Sequence, residues 1–198
     1  MDNPSKQEIL NALRSVPVAE TPLPDLDLPG MEFDQPQAQF AQVLEAVGGR
    51  AVAVRDVAEL NARLEDIPAY REARKVCALV PGVVRANVDL TAVTDPHQLE
   101  DVDFFVAPGA LAVAENAAVW VTDEAVRHRV LYFICQHLAL VVPAARIVHN
   151  LHQAYAQLSF HQRQFGLFLS GPSKTADIEQ ALVIGAHGAR SVTVFLMG

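Results

Sequence analysis

Apolar runs of strand length alternate with helical patterns from residue 34 onward, and this alternation limits the chain to few folds. A helical pattern starts at the cap signal of Asp34 and ends at Gly48-Gly49, and residues 51–54 follow as a predicted strand. Asp56 then marks the start of a second helix, and residues 76–80 form another apolar run. The alternation predicts an α/β fold with a mainly parallel sheet covered by helices, in which ligands usually bind beyond the carboxyl ends of the strands.

The first 33 residues have a different pattern. Ser5-x-x-Glu8 is a capping box followed by apolar residues at helical spacing, which predicts a short amphipathic N-terminal helical arm. Five prolines lie between residues 16 and 36, a composition typical of an extended linker. We therefore predict a helix and Pro-rich linker at residues 1–33 and an α/β domain at residues 34–198. The helix can pack on its own domain, on a twin subunit or on a partner.

Three short strands are predicted in the middle of the chain, at residues 102–106, 111–114 and 119–121, and their short connections favour a local meander. Glu115 lies between two of these apolar segments. A carboxylate in such a place must be exposed, paired or functional. Glu115 is therefore a candidate catalytic residue.

The next apolar run, residues 138–142, predicts a central strand, and Pro143 is suited to the start of a helix. In that helix the apolar stripe would run from Ile147 to Leu158. His149 and His152 lie three residues apart and would be neighbours on it. No adjacent carboxylate completes a motif, so we assign no metal site and leave open whether this pair binds metal.

Composition excludes several classes of protein. A net charge of -8 argues against a partner with a phosphate backbone, so no nucleic acid is expected. The two cysteines, Cys77 and Cys135, lie in apolar runs, which indicates buried thiols in a reducing cytoplasm, and they are too few for an iron–sulfur cluster. The start of the chain lacks a secretory pattern, and polar residues interrupt the most lipophilic window, residues 130–148, so no membrane span is predicted.

Polar chemistry is concentrated near the C-terminus, at residues 170–179, between apolar runs at residues 165–169 and 192–197. This order predicts the loop and helix of a strand–helix–strand unit. Gly171 and Pro172 allow a stiff, sharp turn, after which Ser173 or Thr175 can cap the helix.

Acidic residues follow at once, since Asp177 and Glu179 would occupy the first helical turn, where the helix dipole favours them. Lys174 and free amides favour an anion. Because two carboxylates are already present, a small carboxylate, a sugar hydroxyl or a metal-bridged group fits better than a bare phosphate. The alternative is a capped helix with a purely structural role.

Common catalytic signatures are missing. The segment from Gly166 to Thr175 does not fit a P-loop, because two extra residues separate the glycine from the lysine and a proline removes an amide donor. The chain has no Gly-x-Ser-x-Gly elbow, no Gly-x-Gly-x-x-Gly fingerprint and no His-Glu-x-x-His. The usual hydrolase, dinucleotide and zinc-protease interpretations therefore lack support.

Gly171-Pro172-Ser173-Lys174-Thr175-Ala176-Asp177-Ile178-Glu179, followed by Gly185-Ala186-His187-Gly188, resembles the signature of the LUD-domain family. The resemblance covers the body from about Asp34 to the end. Where the family usually shows Ala-Glu-Thr-Gly-Thr, this chain has Ala114-Glu115-Asn116-Ala117-Ala118 and keeps the glutamate. The resemblance implies a fold similar to the superfamily of ribose-phosphate isomerase, coenzyme A transferases and 5-formyltetrahydrofolate cyclo-ligase.

The resemblance also implies a role. The family includes one component of a three-protein system that oxidises L-lactate to pyruvate, in which the other two proteins carry iron–sulfur clusters. This chain would then be an accessory or regulatory component without a cofactor of its own. Its pocket for a small carboxylate or other anion would be lined by residues of the signature, namely Gly171, Ser173, Lys174, Thr175, Asp177, Glu179 and His187, with Glu115.

Two other functions remain open. A stand-alone enzyme of the cyclo-ligase or coenzyme A transferase type would use Glu115 as nucleophile or base and Lys174 to hold an anion. A non-catalytic interaction scaffold would instead depend on the N-terminal helix. The ligand, the reaction and the oligomeric state do not follow from the sequence.

Overall fold

The computed structural model describes residues 4–16, 21–24, 30–124, 126–159 and 165–198. The helices are α1 (Pro4–Arg14), α2 (Pro36–Ala46), α3 (Val57–Glu65), α4 (Pro68–Glu72), α5 (Leu131–Ile134) and α6 (Leu151–Gln157). The strands are β1 (Arg50–Val54), β2 (Val76–Ala78), β3 (Phe104–Pro108), β4 (Leu111–Val113), β5 (Ala118–Thr122), β6 (His137–Pro143), β7 (Ile147–Val148), β8 (Gly166–Leu169), β9 (Lys174–Ile178), β10 (Ala181–Ile184) and β11 (Ser191–Met197). Short 3-10 turns lie at Pro96–Leu99 and Ala144–Arg146.

A five-stranded sheet in the order β1-β11-β6-β3-β2 forms the centre, and all of its neighbouring strands are parallel. β11 lies between β1 and β6, with Val194 opposite Ala51 and Leu140. Both faces of this sheet are covered, which explains the nearly continuous apolar sequence of β3, β6 and β11. The predicted α/β class with a mainly parallel sheet is confirmed.

One face of the central sheet packs against α3 and α4. The Asp56 side chain accepts a hydrogen bond from the Glu59 amide and so caps α3, as the sequence predicts. Leu60 and Leu64, one turn apart, are fully buried against this face together with Tyr70.

The other face packs against α2, α5 and a second sheet with the strand order β7-β4-β5-β8. Phe40 and Leu44 of α2 are fully buried in this core. α6 covers the outer face of the second sheet, where Ala154 packs near Trp120. The second sheet is therefore an internal layer between the central sheet and α6.

Two local expectations are wrong. The three middle strands do not form one meander, because β3 joins the central sheet while β4 and β5 form a hairpin in the second sheet. The helix expected from Pro143 starts only after Asn150, because β7 pairs with β4 and places Val148 opposite Val113. Asn150 then caps α6 by accepting from the Gln153 amide.

The N-terminal helix exists as predicted, and α1 has no buried residue. Much of the predicted linker, residues 17–20 and 25–29, lies outside the described residues. Just before the predicted domain boundary the chain contacts the body, since Asn150 Nδ2 donates to the Met31 carbonyl at 2.9 Å and the Phe33 amide donates to His149 Nδ1 at 3.0 Å. The body therefore holds the chain in place from about Gly30.

Both cysteines are free and buried, as predicted. Burial raises the pKa of Cys77 to about 11 and that of Cys135 to about 12, so neither thiol ionises appreciably near neutral pH. In the part of the chain that the structure describes, no helix combines the length and apolarity needed to cross a bilayer.

Candidate functional site

The C-terminal signature folds as a loop and a β-hairpin, and the predicted helix is wrong. β9 and β10 pair antiparallel around a two-residue turn in which Glu179 and Gln180 have φ of 52° and 58°. Positive φ at both positions is typical of a type I′ hairpin turn, which usually carries Asn-Gly, and Glu179-Gln180 does not match that turn signal. Asp177 therefore lies in a strand, and the expected stabilisation of its carboxylate by a helix dipole does not occur.

The turn before this hairpin is fixed onto the amino edge of the central sheet. Lys174 Nζ donates to the carbonyls of Val47 at 2.9 Å and Pro172 at 3.0 Å. Val47 is the C-cap of α2, so the ammonium lies at the negative end of that helix. The Ser173 amide donates to the Ala189 carbonyl at 3.0 Å. Partial burial lowers the pKa of Lys174.

A cavity of about 320 Å³ opens beside this turn. Four predicted ligand-binding residues line it, namely Gly171, Ser173, Lys174 and His187. Its apolar wall includes Tyr132 and Phe133 of α5 and residues 167–169 of β8. A second hollow of about 420 Å³ also includes Phe133, His187 and Gly188 in its lining. The α5 and β8 walls do not follow from the sequence, because nothing in those apolar segments marks them as part of a site.

The cavity lies at the amino ends of β6 and β11, next to Leu138 and Val192. Ligands were expected beyond the carboxyl ends of the parallel strands, and this cavity lies at the opposite ends. The difference arises because β8 leads the signature turn to the amino edge, where the Gly185 amide closes the base of the hairpin on the Ser173 carbonyl at 2.9 Å.

Three other predicted ligand-binding residues do not line the cavity. Thr175, Asp177 and Glu179 lie along the hairpin, where Asp177 and Glu179 are exposed. Thr175 Oγ1 accepts a hydrogen bond from the Asp177 amide at 3.3 Å. The hairpin thus separates the signature into a part at the cavity and a part in solvent.

Glu115 lies at the N-terminus of α6 and does not line the cavity. Its Oε1 accepts a hydrogen bond from the Leu151 amide at 2.9 Å, and its own amide donates to the His149 carbonyl at 3.0 Å. The first amides of a helix have no partner within the helix, so this carboxylate satisfies one of them and favours the positive helix end. The neighbouring Asn116 carbonyl accepts from Ser170 Oγ at 2.7 Å, which links this loop to the start of the signature turn.

Glu115→Ala should lower the free energy of unfolding by about 1 to 2 kcal/mol, because the Leu151 amide loses its acceptor. Glu115→Gln keeps an acceptor for this amide. It should therefore lower the free energy of unfolding by only about 0.3 to 1 kcal/mol, which is what a negative charge contributes at a helix N-terminus. Urea unfolding measures both. We expect neither change to alter ligand binding at the cavity. A loss of binding in Glu115→Gln would show that Glu115 takes part in the site.

Ala117 has φ of 54°, in the left-handed region that favours glycine, and it is fully buried. The LUD-domain pattern has glycine at this position. The four residues 114–117 connect β4 to β5, and Ala117 adopts the left-handed conformation in this turn although it is not a glycine.

Several hydrogen-bond donors of the residues that line the cavity have no acceptor within the described protein. Among the described residues, Ser173 Oγ and the amides of His187 and Gly188 have no hydrogen-bond partner. Lys174 uses two of its three N–H groups on carbonyls. Unpaired amides and an ammonium group that line one cavity favour an anion there.

His137, at the start of β6, pairs its Nδ1 with Ser191 Oγ of β11 at 2.8 Å. Burial lowers the pKa of His137, and Arg190 lowers it further, while Asp103 opposes the shift. A lowered pKa means that the unfolded chain binds more protons near its ordinary pKa of about 6.5 than the fold does. Stability from this group is therefore complete at higher pH and is lost as the pH falls.

Urea unfolding between about pH 5 and about pH 8 tests this expectation, with His137→Asn as the comparison. The wild-type protein should lose more stability below about pH 6.5 than the variant does, by at most about 1.4 kcal/mol per pH unit. His97 acts in the opposite sense, because its hydrogen bond to Asp95 raises its pKa. Equal pH dependence in the two proteins would contradict the role of His137.

The predicted histidine pair is not on one helix face. His149 precedes α6 and accepts the Phe33 amide, whereas His152 lies in the helix and is exposed. Within the described ranges, no three side chains of His, Cys, Asp or Glu cluster in a way that could hold a metal ion.

The fold and the cavity together define an α/β protein with a candidate anion site at the amino edge of its parallel sheet. The sequence model of a family described as the LUD domain matches residues 86–197, more than half of the chain. The chain therefore belongs to the LUD domain family, as its C-terminal signature predicts.

Relatives are found among bacterial proteins. A Geobacillus kaustophilus protein named lactate utilization protein C is 31% identical over 114 residues, which cover 54% of this chain and 44% of that protein. A Geobacillus thermodenitrificans protein of the same name is 28% identical over 196 residues, covering 93% of this chain and 76% of that protein. The resemblance to lactate utilization protein C within the family is thereby confirmed, although the match spans less than half of the first relative.

A solved structure shares the fold. The crystal structure of a DUF162 family protein from Deinococcus radiodurans aligns with a TM-score of 0.60 and 19% identity, covering 85% of this chain and all of that one. At this identity the likeness concerns the fold alone.

Proposed function

We propose that this chain is an accessory or regulatory component of L-lactate utilisation that binds a small anionic ligand in the amino-edge cavity. The observation that carries the proposal is the convergence of Ser173, Lys174 and His187, from two separate parts of the family signature, on one cavity. The relatives named lactate utilization protein C support a role in lactate utilisation.

The chemistry of the cavity favours a small carboxylate. Ser173 Oγ, the remaining N–H of Lys174 and the amides of His187 and Gly188 suit the carboxylate oxygens. Leu167 and Leu169 provide an apolar wall for the carbon chain. Its volume of about 320 Å³ lies in the usual range for small-molecule sites.

Redox chemistry is assigned to partners in this proposal. Both cysteines are buried and their thiols have raised pKa values, so neither is suited to electron transfer or to cluster ligation. The iron–sulfur clusters would lie on two other proteins of the system, and the complex would work in the cytoplasm.

Reconstitution tests the proposal. The chain is purified with its two iron–sulfur partners, and L-lactate-dependent electron transfer is measured with and without it, while titration calorimetry with L-lactate and pyruvate measures binding to the chain alone. We expect co-purification, a loss of electron transfer without the chain, and binding of at least one of the two anions. Unchanged electron transfer with no co-purification would overturn the accessory role.

The alternative of a stand-alone enzyme has less support. A cyclo-ligase or coenzyme A transferase mechanism would need the Glu115 carboxylate at the substrate, whereas that carboxylate is bound to the Leu151 amide outside the cavity. A thermal shift with ATP or a coenzyme A ester would favour the enzyme. A ligand at one hundred times its Kd should add about 2.7 kcal/mol of stability.

A further inference from the structure

A second cavity, of about 510 Å³, lies at the opposite, carboxyl edge of the central sheet. Its walls come from the carboxyl ends of four parallel strands and from the 3-10 turn after β6. The strands β2, β3, β6 and β11 contribute Val80, Pro108, Val141 and Met197 at or near their ends, and the turn contributes Ala145. Among the residues that the structure describes, no charged side chain lines it. We call this cavity the carboxyl-edge groove.

The N-terminal helix carries an apolar face of matching character. Ile9, Leu13 and Val16 lie on one side of α1 and its end, and they are 61%, 65% and 59% exposed. An amphipathic helix gains its stability mainly by packing this face against another element, because a helix of eleven residues is marginal alone in water. Exposed apolar surface of this kind usually marks a contact site, and this holds for the apolar face of α1 and for the groove alike.

The connection between them allows the contact within one chain. Residues 17–29 number thirteen and can span up to about 45 Å when extended. The far end of this tether is held by Asn150 and His149 through Met31 and Phe33. Asn150 is five residues from Ala145 at the groove, a path of at most about 18 Å.

We infer that α1 docks its apolar face into the carboxyl-edge groove of its own chain. A tether of this length gives an effective concentration in about the millimolar range, so a small apolar contact is sufficient. Docking would fill the edge at which α/β proteins usually bind ligands and leave the amino-edge cavity as the open site. This inference does not rest on the proposed function.

Backbone 15N relaxation of the full chain tests the docking. In the wild-type protein the α1 amides should relax like those of the body, with heteronuclear NOE values equal to those of α2. Ile9→Glu with Leu13→Glu should release the helix, so that its NOE values fall to those of a mobile segment. Gln7→Glu with Asn11→Glu adds the same charge on the opposite helix face and should leave α1 docked.

The groove is tested from its own side. Ala145→Glu places a charge at the rim of the groove and should also release α1, whereas Ala181→Glu on the exposed β10 should not. All four substituted helix positions and both alanines are exposed, so the variants should fold, which the amide spectrum of the body reports.

Three outcomes would overturn the inference. Independent motion of α1 in the wild-type protein would show that the groove does not hold it. Sedimentation as a dimer, with contacts between α1 of one copy and the groove of another in a mixed labelled sample, would place the docking between copies. Identical relaxation of α1 in Ile9→Glu/Leu13→Glu and in wild type would place its contact on another face.

Discussion

Gly171→Ala should lower the free energy of unfolding by about 2 to 4 kcal/mol, since a Cβ there adds backbone strain and a collision. Gly171 has φ of 66°, and an added Cβ would lie 2.9 Å from Val47 Cγ2 and 3.1 Å from the Val47 carbonyl oxygen. That carbonyl also accepts from Lys174 Nζ, so the methyl group would separate the signature turn from the end of α2. Guanidinium unfolding with a fixed m-value measures the loss.

Gly48→Ala is the matched control. Gly48 also has positive φ, at 87°, but its added Cβ would make only ordinary contacts, with Pro172 Cγ at 3.5 Å and with Ile184 Cδ1 at 4.0 Å. It should therefore cost about 1 to 2 kcal/mol, from backbone strain alone. Equal losses in the two variants would mean that the turn accommodates the methyl group and that its close approach to α2 is unimportant.

Lys174→Met should weaken binding of L-lactate or pyruvate about 10- to 100-fold, because a hydrogen bond to a charged group contributes about 1.5 to 3 kcal/mol. The variant also removes the ammonium from the Val47 and Pro172 carbonyls, so some stability is lost as well. Ser173→Ala separates the two effects. Ser173 Oγ has no partner among the described residues, so that change should weaken binding about 3- to 10-fold and leave unfolding unchanged.

Asp177→Ala serves as the control for these cavity variants. Asp177 is exposed on the hairpin and does not line the cavity, so its removal should change neither affinity nor stability. Titration calorimetry at one ionic strength compares all three variants. Reduced affinity in Asp177→Ala with normal affinity in Ser173→Ala would move the ligand from the cavity to the hairpin.

One local signal in the sequence predicted its element well. Asp56 with Leu60 and Leu64 identifies α3, because a cap and an apolar stripe are complete within one segment. The hairpin at residues 174–184 was missed for the opposite reason. Its polar first half looks like a helix start, and only pairing of Ile184 with Lys174 selects the strand.

The predicted site residues were likewise found only in part by local sequence signals. The signature identified Ser173, Lys174 and His187, which line the cavity, together with Thr175, Asp177 and Glu179, which do not. The two groups cannot be told apart by their position in the sequence, because only the pairing of β9 with β10 extends Thr175, Asp177 and Glu179 along the hairpin and out of the cavity lining.

The sequence by itself determined the α/β class, the family and the burial of the two cysteines, since each depends on composition, on periodicity or on a contiguous signature. Only the tertiary structure decided the use of each polar group. Lys174 meets a carbonyl 127 residues away, and Glu115 meets an amide 36 residues away. Such partners are set by the packing of distant elements, because only the fold brings a donor and an acceptor that are far apart in the sequence within hydrogen-bond distance.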